Sequence, residues 1–210
     1  MSEGKPKRLD LLAGPRIYDP REFLRGIWSL LAKVRDADWN MPPEELKKYV
    51  TLRVGALKKT RELCDACIFA CLFEQVLGPL LGEPNLRFQV IPALDESSDT
   101  DAYAFWKDRE DKNQFIPLQM KELPPLSLNP TSTLDAELLK LKKYPPSKEP
   151  PLVAFKLNRE GPIGAFSVPS GLNVAGLWLF GAFDREASRW ALIGDLTRDG
   201  HQRYELPMVL

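Results

Sequence analysis

A chain of 210 residues with 29 Lys+Arg against 29 Asp+Glu has a formal net charge of zero, so any contact with nucleic acid must come from a local patch. Hydrophobic residues at 44% and charged residues at 28% are ordinary for a globular protein, and the length suits one domain with additions. One histidine, no Gly-x-Ser-x-Gly, no P-loop and no dinucleotide fingerprint leave serine–histidine, cysteine–histidine and nucleotide-cofactor chemistry without a foundation.

The N-terminus, Met1 to Arg8, is polar and lacks a signal-peptide core, and no apolar run reads as long and uncharged enough to span a bilayer; a cytoplasmic protein without membrane contact is expected. Residues 1–55 read as a helical extension packed on the core. Within it Phe23, Ile27, Leu30, Leu31 and Val34 recur at helical spacing after Asp19-Pro20, and residues 44–54 suggest another helix. These flanking helices are expected to pack on the sheet or to pair with a second subunit or another protein.

Residues 56–210 read as the α/β core. It opens with a long apolar helix from about Ala56 to Leu81, basic at its start and interrupted by Gly78-Pro79. Cys64, Cys67 and Cys71 fall on one stripe of this helix, where they cannot comfortably bridge one another, and are expected to be reduced and buried. Residues 86–91 alternate as a first strand, Asp101 to Trp106 as a second, and the run from Phe115 as a third. The polar residues 107–114 between the last two predict an antiparallel hairpin. Thr133 caps an amphipathic helix running to Tyr144, with Leu134, Leu138 and Leu141 on one face. Leu152 to Leu157 is a fourth strand, and the strand–helix–strand crossover makes it parallel to the third, giving a mixed sheet. Residues 174–183 and 189–194 predict a C-terminal hairpin, in which Trp178 and Trp190 are expected in the core.

The chemistry gathers on the second and third strands. Gln119 and Lys121 share one face of their strand, with Met120 on the other. If Asp101 presents its side chain to that face, an acid, an amide and a lysine converge. Phosphodiester hydrolysis calls for such a set: oxygen ligands for Mg²⁺ and an ammonium for the developing charge. Basic clusters available for phosphate are Lys47-Lys48 with Arg53, Lys58-Lys59-Arg61, Lys107-Arg109-Lys112 and Lys140-Lys142-Lys143.

With Asp101 on the second strand, Gln119-Met120-Lys121 on the third and the order helix, three strands, helix, strand, the chain resembles the PD-(D/E)xK, or restriction-endonuclease-like, nuclease superfamily over residues 56–158. Gln-x-Lys resembles the variant of Mrr-type endonucleases, and Thr100 stands where the superfamily signature has proline. The resemblance implies an αβββαβ core and Mg²⁺- or Mn²⁺-dependent cleavage of DNA. Asp101 and Gln119 would hold the metal, Lys121 would stabilise charge, and an acid of the first helix would join them. Phe73-Glu74 matches the usual placing of that acid, with Glu62 as its competitor. Two other readings stand beside this one: a non-catalytic nuclease-fold module used in binding or assembly, in a defence or phage-related setting, and an unrelated α+β interaction protein.

Overall fold

The structure, a computed structural model, describes residues 16–28, 56–93, 99–126, 128–159, 165–184 and 186–210. The helix expected at 44–54 and the continuation of the first helix past residue 28 lie outside the described residues, as do Lys47, Lys48 and Arg53.

Helix α1 covers residues 20–28. Asp19 starts it, its Oδ1 accepting the amide N–H of Arg21 at 2.8 Å and of Glu22 at 3.0 Å, and Pro20 supplies the fixed φ that suits a first helical residue. Just before it, Tyr18 exchanges two 2.9 Å backbone bonds with Val90, covering the outer edge of the sheet. Helix α2, Ala56–Leu80, contains Pro79 in its last turn, next to its end. By length and composition part of α2 could cross a bilayer, contrary to the expectation above, yet most of that stretch is buried within the protein. Its residues 64–73 are buried on every side, which accounts for the continuous apolar run.

Seven strands form one mixed sheet in chain order: β1 Gln89–Pro92, β2 Ala102–Lys107, β3 Asn113–Leu123, β4 Leu152–Leu157, β5 Gly176–Ala182, β6 Arg189–Gly194 and β7 Gln202–Pro207. The pairs β1–β2 and β2–β3 are antiparallel, β3–β4 and β4–β5 parallel, and β5–β6 and β6–β7 antiparallel. Helix α3, Leu134–Lys140, makes the crossover between β3 and β4 and ends in a 3₁₀ turn, Leu141–Lys143. Thr133 Oγ1 caps it by accepting the Ala136 N–H at 3.2 Å.

Each face of the sheet has its own core. Helix α2 lies on one, packing Phe69, Phe73 and Leu72 with Phe88, Trp178 and Phe180. Both Trp178 and Trp190 are buried there, as core residues. Helix α3 covers part of the other face, where Leu134, Leu138 and Leu141 meet Val153, Phe155, Leu177 and Leu179. Because α3 reaches only the β3–β4–β5 side, the same face of β1, β2 and the start of β3 is left partly open, and Phe115 is 53% exposed there.

Three differences from the sequence reading have simple causes. The first strand begins at Gln89, since Leu86 and Phe88 pack beneath the helix outside the strand. Asp101 forms a bend immediately before β2 and is not itself a strand residue. Strand β7 was not anticipated: its alternation rests on two half-buried residues, Tyr204 and Leu206, and Pro207 ends the run. The three cysteines are free and buried, as expected.

Candidate functional site

The bend at Asp101 is tied to both neighbouring strands. Its N–H donates to the Leu118 carbonyl at 2.8 Å, and its own carbonyl accepts the Ala93 N–H at 2.9 Å. The backbone is therefore fixed before the side chain does anything. The carboxylate then turns onto β3, where Oδ2 accepts the Met120 N–H at 2.7 Å and the Gln119 Nε2 at 2.5 Å.

Alternation along β3 sends Gln119, Lys121 and Leu123 to the α3 face and Met120 and Glu122 to the α2 face. Lys121 therefore follows Gln119 on the Asp101 side of the sheet. Its Nζ sits 5.7 Å from the ring centroid of Tyr144, at the end of the 3₁₀ turn, within cation–π range.

The electrostatics follow from this half-buried setting. Burial is the main cause raising the Asp101 carboxyl from 3.8 to about 6; nearby Glu62 adds to the rise, while the Met120 N–H, Lys121 and Lys58 oppose it. Burial likewise lowers the Lys121 ammonium below its ordinary value, with Lys58 acting in the same sense and Asp101, Asp99 and Glu62 against it. The Tyr144 hydroxyl is raised, first by burial and then by Asp99 and Asp101, and its oxygen has no hydrogen-bond partner among the described residues.

Of the two helix acids weighed from the sequence, Glu74 is engaged elsewhere. Its fully buried carboxylate takes the Arg21 guanidinium on one oxygen and the Phe88 N–H on the other at 3.1 Å, with Arg87 at 3.9 Å. These bonds fasten α1 and the approach to β1 onto α2; they involve none of Asp101, Gln119 and Lys121. Glu62, in the second turn of α2, is the helix acid whose charge acts on Asp101 and Lys121, and it is held at 3.4 Å from Lys58.

Behind the site, on the α2 face, Lys156 Nζ bonds buried Asp65 at 2.7 Å, and Glu122 takes Arg61 at 3.2 Å and the Asn158 amide at 2.9 Å. This network anchors the first turns of α2 to β3 and β4, and with them Lys58 and Glu62. Sequence reasoning passed over Tyr144 and Asp99: the first sits beside a Pro-Pro pair and the second in a Ser/Asp-rich turn, neither with a periodic signal.

A hard divalent cation suits the donors. Asp101 offers a carboxylate and Gln119 an amide oxygen once its amide turns over, and Mg²⁺ commonly takes only one or two protein carboxylates, completing its shell with water and phosphate. No cluster of three His, Cys, Asp or Glu side chains able to share an ion occurs among the described residues.

No protein-family model, curated protein or solved structure matches the chain.

Proposed function

We propose that this chain is a metal-dependent nuclease with a restriction-endonuclease-like core, hydrolysing DNA phosphodiester bonds at Asp101, Gln119 and Lys121. The observation that carries the reading is the 2.5 Å contact between the Asp101 carboxylate and the Gln119 amide. Lys121 follows on the same face, at the junction of an α-β-β-β-α-β unit whose third and fourth strands are parallel.

A Mg²⁺ or Mn²⁺ ion held by Asp101 and Gln119 would supply charge neutralisation at the phosphate and a more acidic water. The protein's own part is positional. Above about pH 6 Asp101 is ionised and ready to hold a cation. Lys121, steered by the Tyr144 ring, brings an ammonium to the negative charge that builds on the phosphoryl oxygens. Glu62 takes the role of helix acid in this reading, because Glu74 is committed to Arg21 and the Phe88 amide.

The test is conversion of supercoiled plasmid by purified protein with Mg²⁺ or Mn²⁺, beside an EDTA control and the Asp101→Asn and Lys121→Met variants. Metal-dependent cutting lost in both folded variants is expected; full cutting by either overturns the assignment. A second reading, a nuclease-fold module that binds without cutting, is favoured by the neutral amide of Gln119 and by the lack of a three-ligand cluster among the described residues. Binding of DNA with no cleavage by the folded wild type would decide for it.

A further inference from the structure

The open corner of the sheet continues the site. Register and alternation place Tyr103 and Phe105 of β2, and Phe115 of β3, on the same face as Asp101, Gln119 and Lys121. Phe105 and Phe115 are cross-strand partners whose ring centroids lie 5.0 Å apart at 32°. Beside them a cleft of about 440 Å³ is lined by Ile91, Tyr103, Phe115 and Glu149. Helix α3 does not cover these aromatics, and the proline-rich loop after it brings a carboxylate to the cleft.

Phe115 is exposed and Tyr103 and Phe105 are half-buried, and a contiguous apolar surface left to solvent is a candidate binding site. Four features select its occupant. The surface begins at the phosphodiester site and runs away from it, about 13 Å along the strand from Asp101 to Phe105. It carries the rings of Tyr103, Phe105 and Phe115, and flat ligands stack on aromatic rings. The cleft falls in the usual size range of small-ligand pockets. Its one charged lining group among the described residues, Glu149, is a hydrogen-bond acceptor suited to an exocyclic amino group.

We propose that this face is a base-stacking platform for single-stranded nucleic acid, with unpaired bases laid on Tyr103, Phe105 and Phe115 while the adjoining phosphate lies at Asp101, Gln119 and Lys121. It rests on the nuclease reading for the position of the phosphate. A paired duplex keeps its bases stacked on one another and cannot use the rings in this way. Glu149 favours adenine or cytosine in the cleft over thymine, which has no amino group to donate.

Binding in EDTA, where nothing is cut, separates this proposal from the nuclease assignment. Fluorescence anisotropy is measured with single-stranded dA, dC and dT oligomers of about twelve nucleotides and with a duplex of equal length. The expected result is at least a tenfold preference for single strands, lost by about tenfold in Phe115→Ala and Tyr103→Ala. Glu149→Gln removes the advantage of dA and dC over dT. Phe115 is exposed, so its variant folds; a melting curve checks Tyr103→Ala. Metal-dependent hydrolysis of bis(4-nitrophenyl) phosphate by the wild type reads the phosphate site separately from base binding. Wild-type failure in that hydrolysis would remove the nuclease reading and leave the binding result standing. Equal or tighter binding of duplex, or an unchanged affinity in Phe115→Ala, would overturn the platform. Sedimentation showing that Phe115→Ala breaks a dimer while oligomer affinity is kept would also overturn it, assigning the face to a second copy of the chain.

Discussion

Replacing Asp101 with asparagine should make the protein more stable at neutral pH while disabling it. The carboxyl is raised from 3.8 to about 6, chiefly by burial, so the folded state holds the ionised form at a disadvantage. At roughly 1.4 kcal/mol per tenfold change this amounts to about 3 kcal/mol, and partial access to water scales it to about 1–3 kcal/mol. The sign follows from linkage: a carboxyl raised on folding contributes stability that is complete below 3.8 and is lost as pH rises through about 6. Asparagine with its oxygen in the place of Oδ2 still accepts both the Met120 N–H and the Gln119 Nε2, so the shape of the contact survives without its charge. Urea denaturation of both proteins near pH 8 should give the variant that advantage, equivalent to about 2–12 °C in Tm for a chain of this size. Near pH 4 the two should be nearly equal, because the wild-type side chain is then mostly neutral. Added Mg²⁺ should stabilise the wild type and leave the variant unmoved. A variant less stable than the wild type near pH 8, or a gain that persists unchanged near pH 4, would refute the assignment of a strained carboxylate at this position.

The remaining tests address separate parts of the site. Glu74→Ala leaves the buried Arg21 guanidinium and the Phe88 N–H without their acceptor and should cost about 3–5 kcal/mol in denaturation, whereas Glu62→Ala should change stability by less than about 1 kcal/mol yet reduce cleavage at least tenfold. Tyr144→Phe keeps the ring over Lys121 and should retain activity, while Tyr144→Leu removes the ring and should shift the alkaline limb of the pH–rate profile; identical profiles would dismiss the contact. Burial pushes the Cys64 and Cys71 thiols to about 12 and raises that of Cys67 as well, so none should react with a thiol reagent near pH 8 until denaturant is added.

What the sequence made legible was local. Alternation from Ala102 to Trp106 and from Phe115 onward located β2 and β3, and side-chain parity alone put Gln119 and Lys121 on one face. The Thr133 cap and the leucine spacing after it located α3. Non-local pairing was hidden. The apolar surroundings of Glu74 announce a buried acid, but only folding reveals that its partner is Arg21, from a different helix 53 residues earlier. Glu62 lies among other charged residues and looked ordinary, although its charge helps to raise the Asp101 carboxyl. Edge strand β7 shows only a short alternation, Tyr204 and Leu206 half-buried between exposed residues, before Pro207 interrupts it.

The most direct measurement is anomalous diffraction from crystals of the protein soaked in Mn²⁺. The account predicts a peak about 2.0–2.4 Å from an Asp101 carboxylate oxygen, with the Gln119 amide turned to offer Oε1. A well-ordered site with no ion at Asp101, or an ion bound at Glu74 or Asp65 instead, would contradict it.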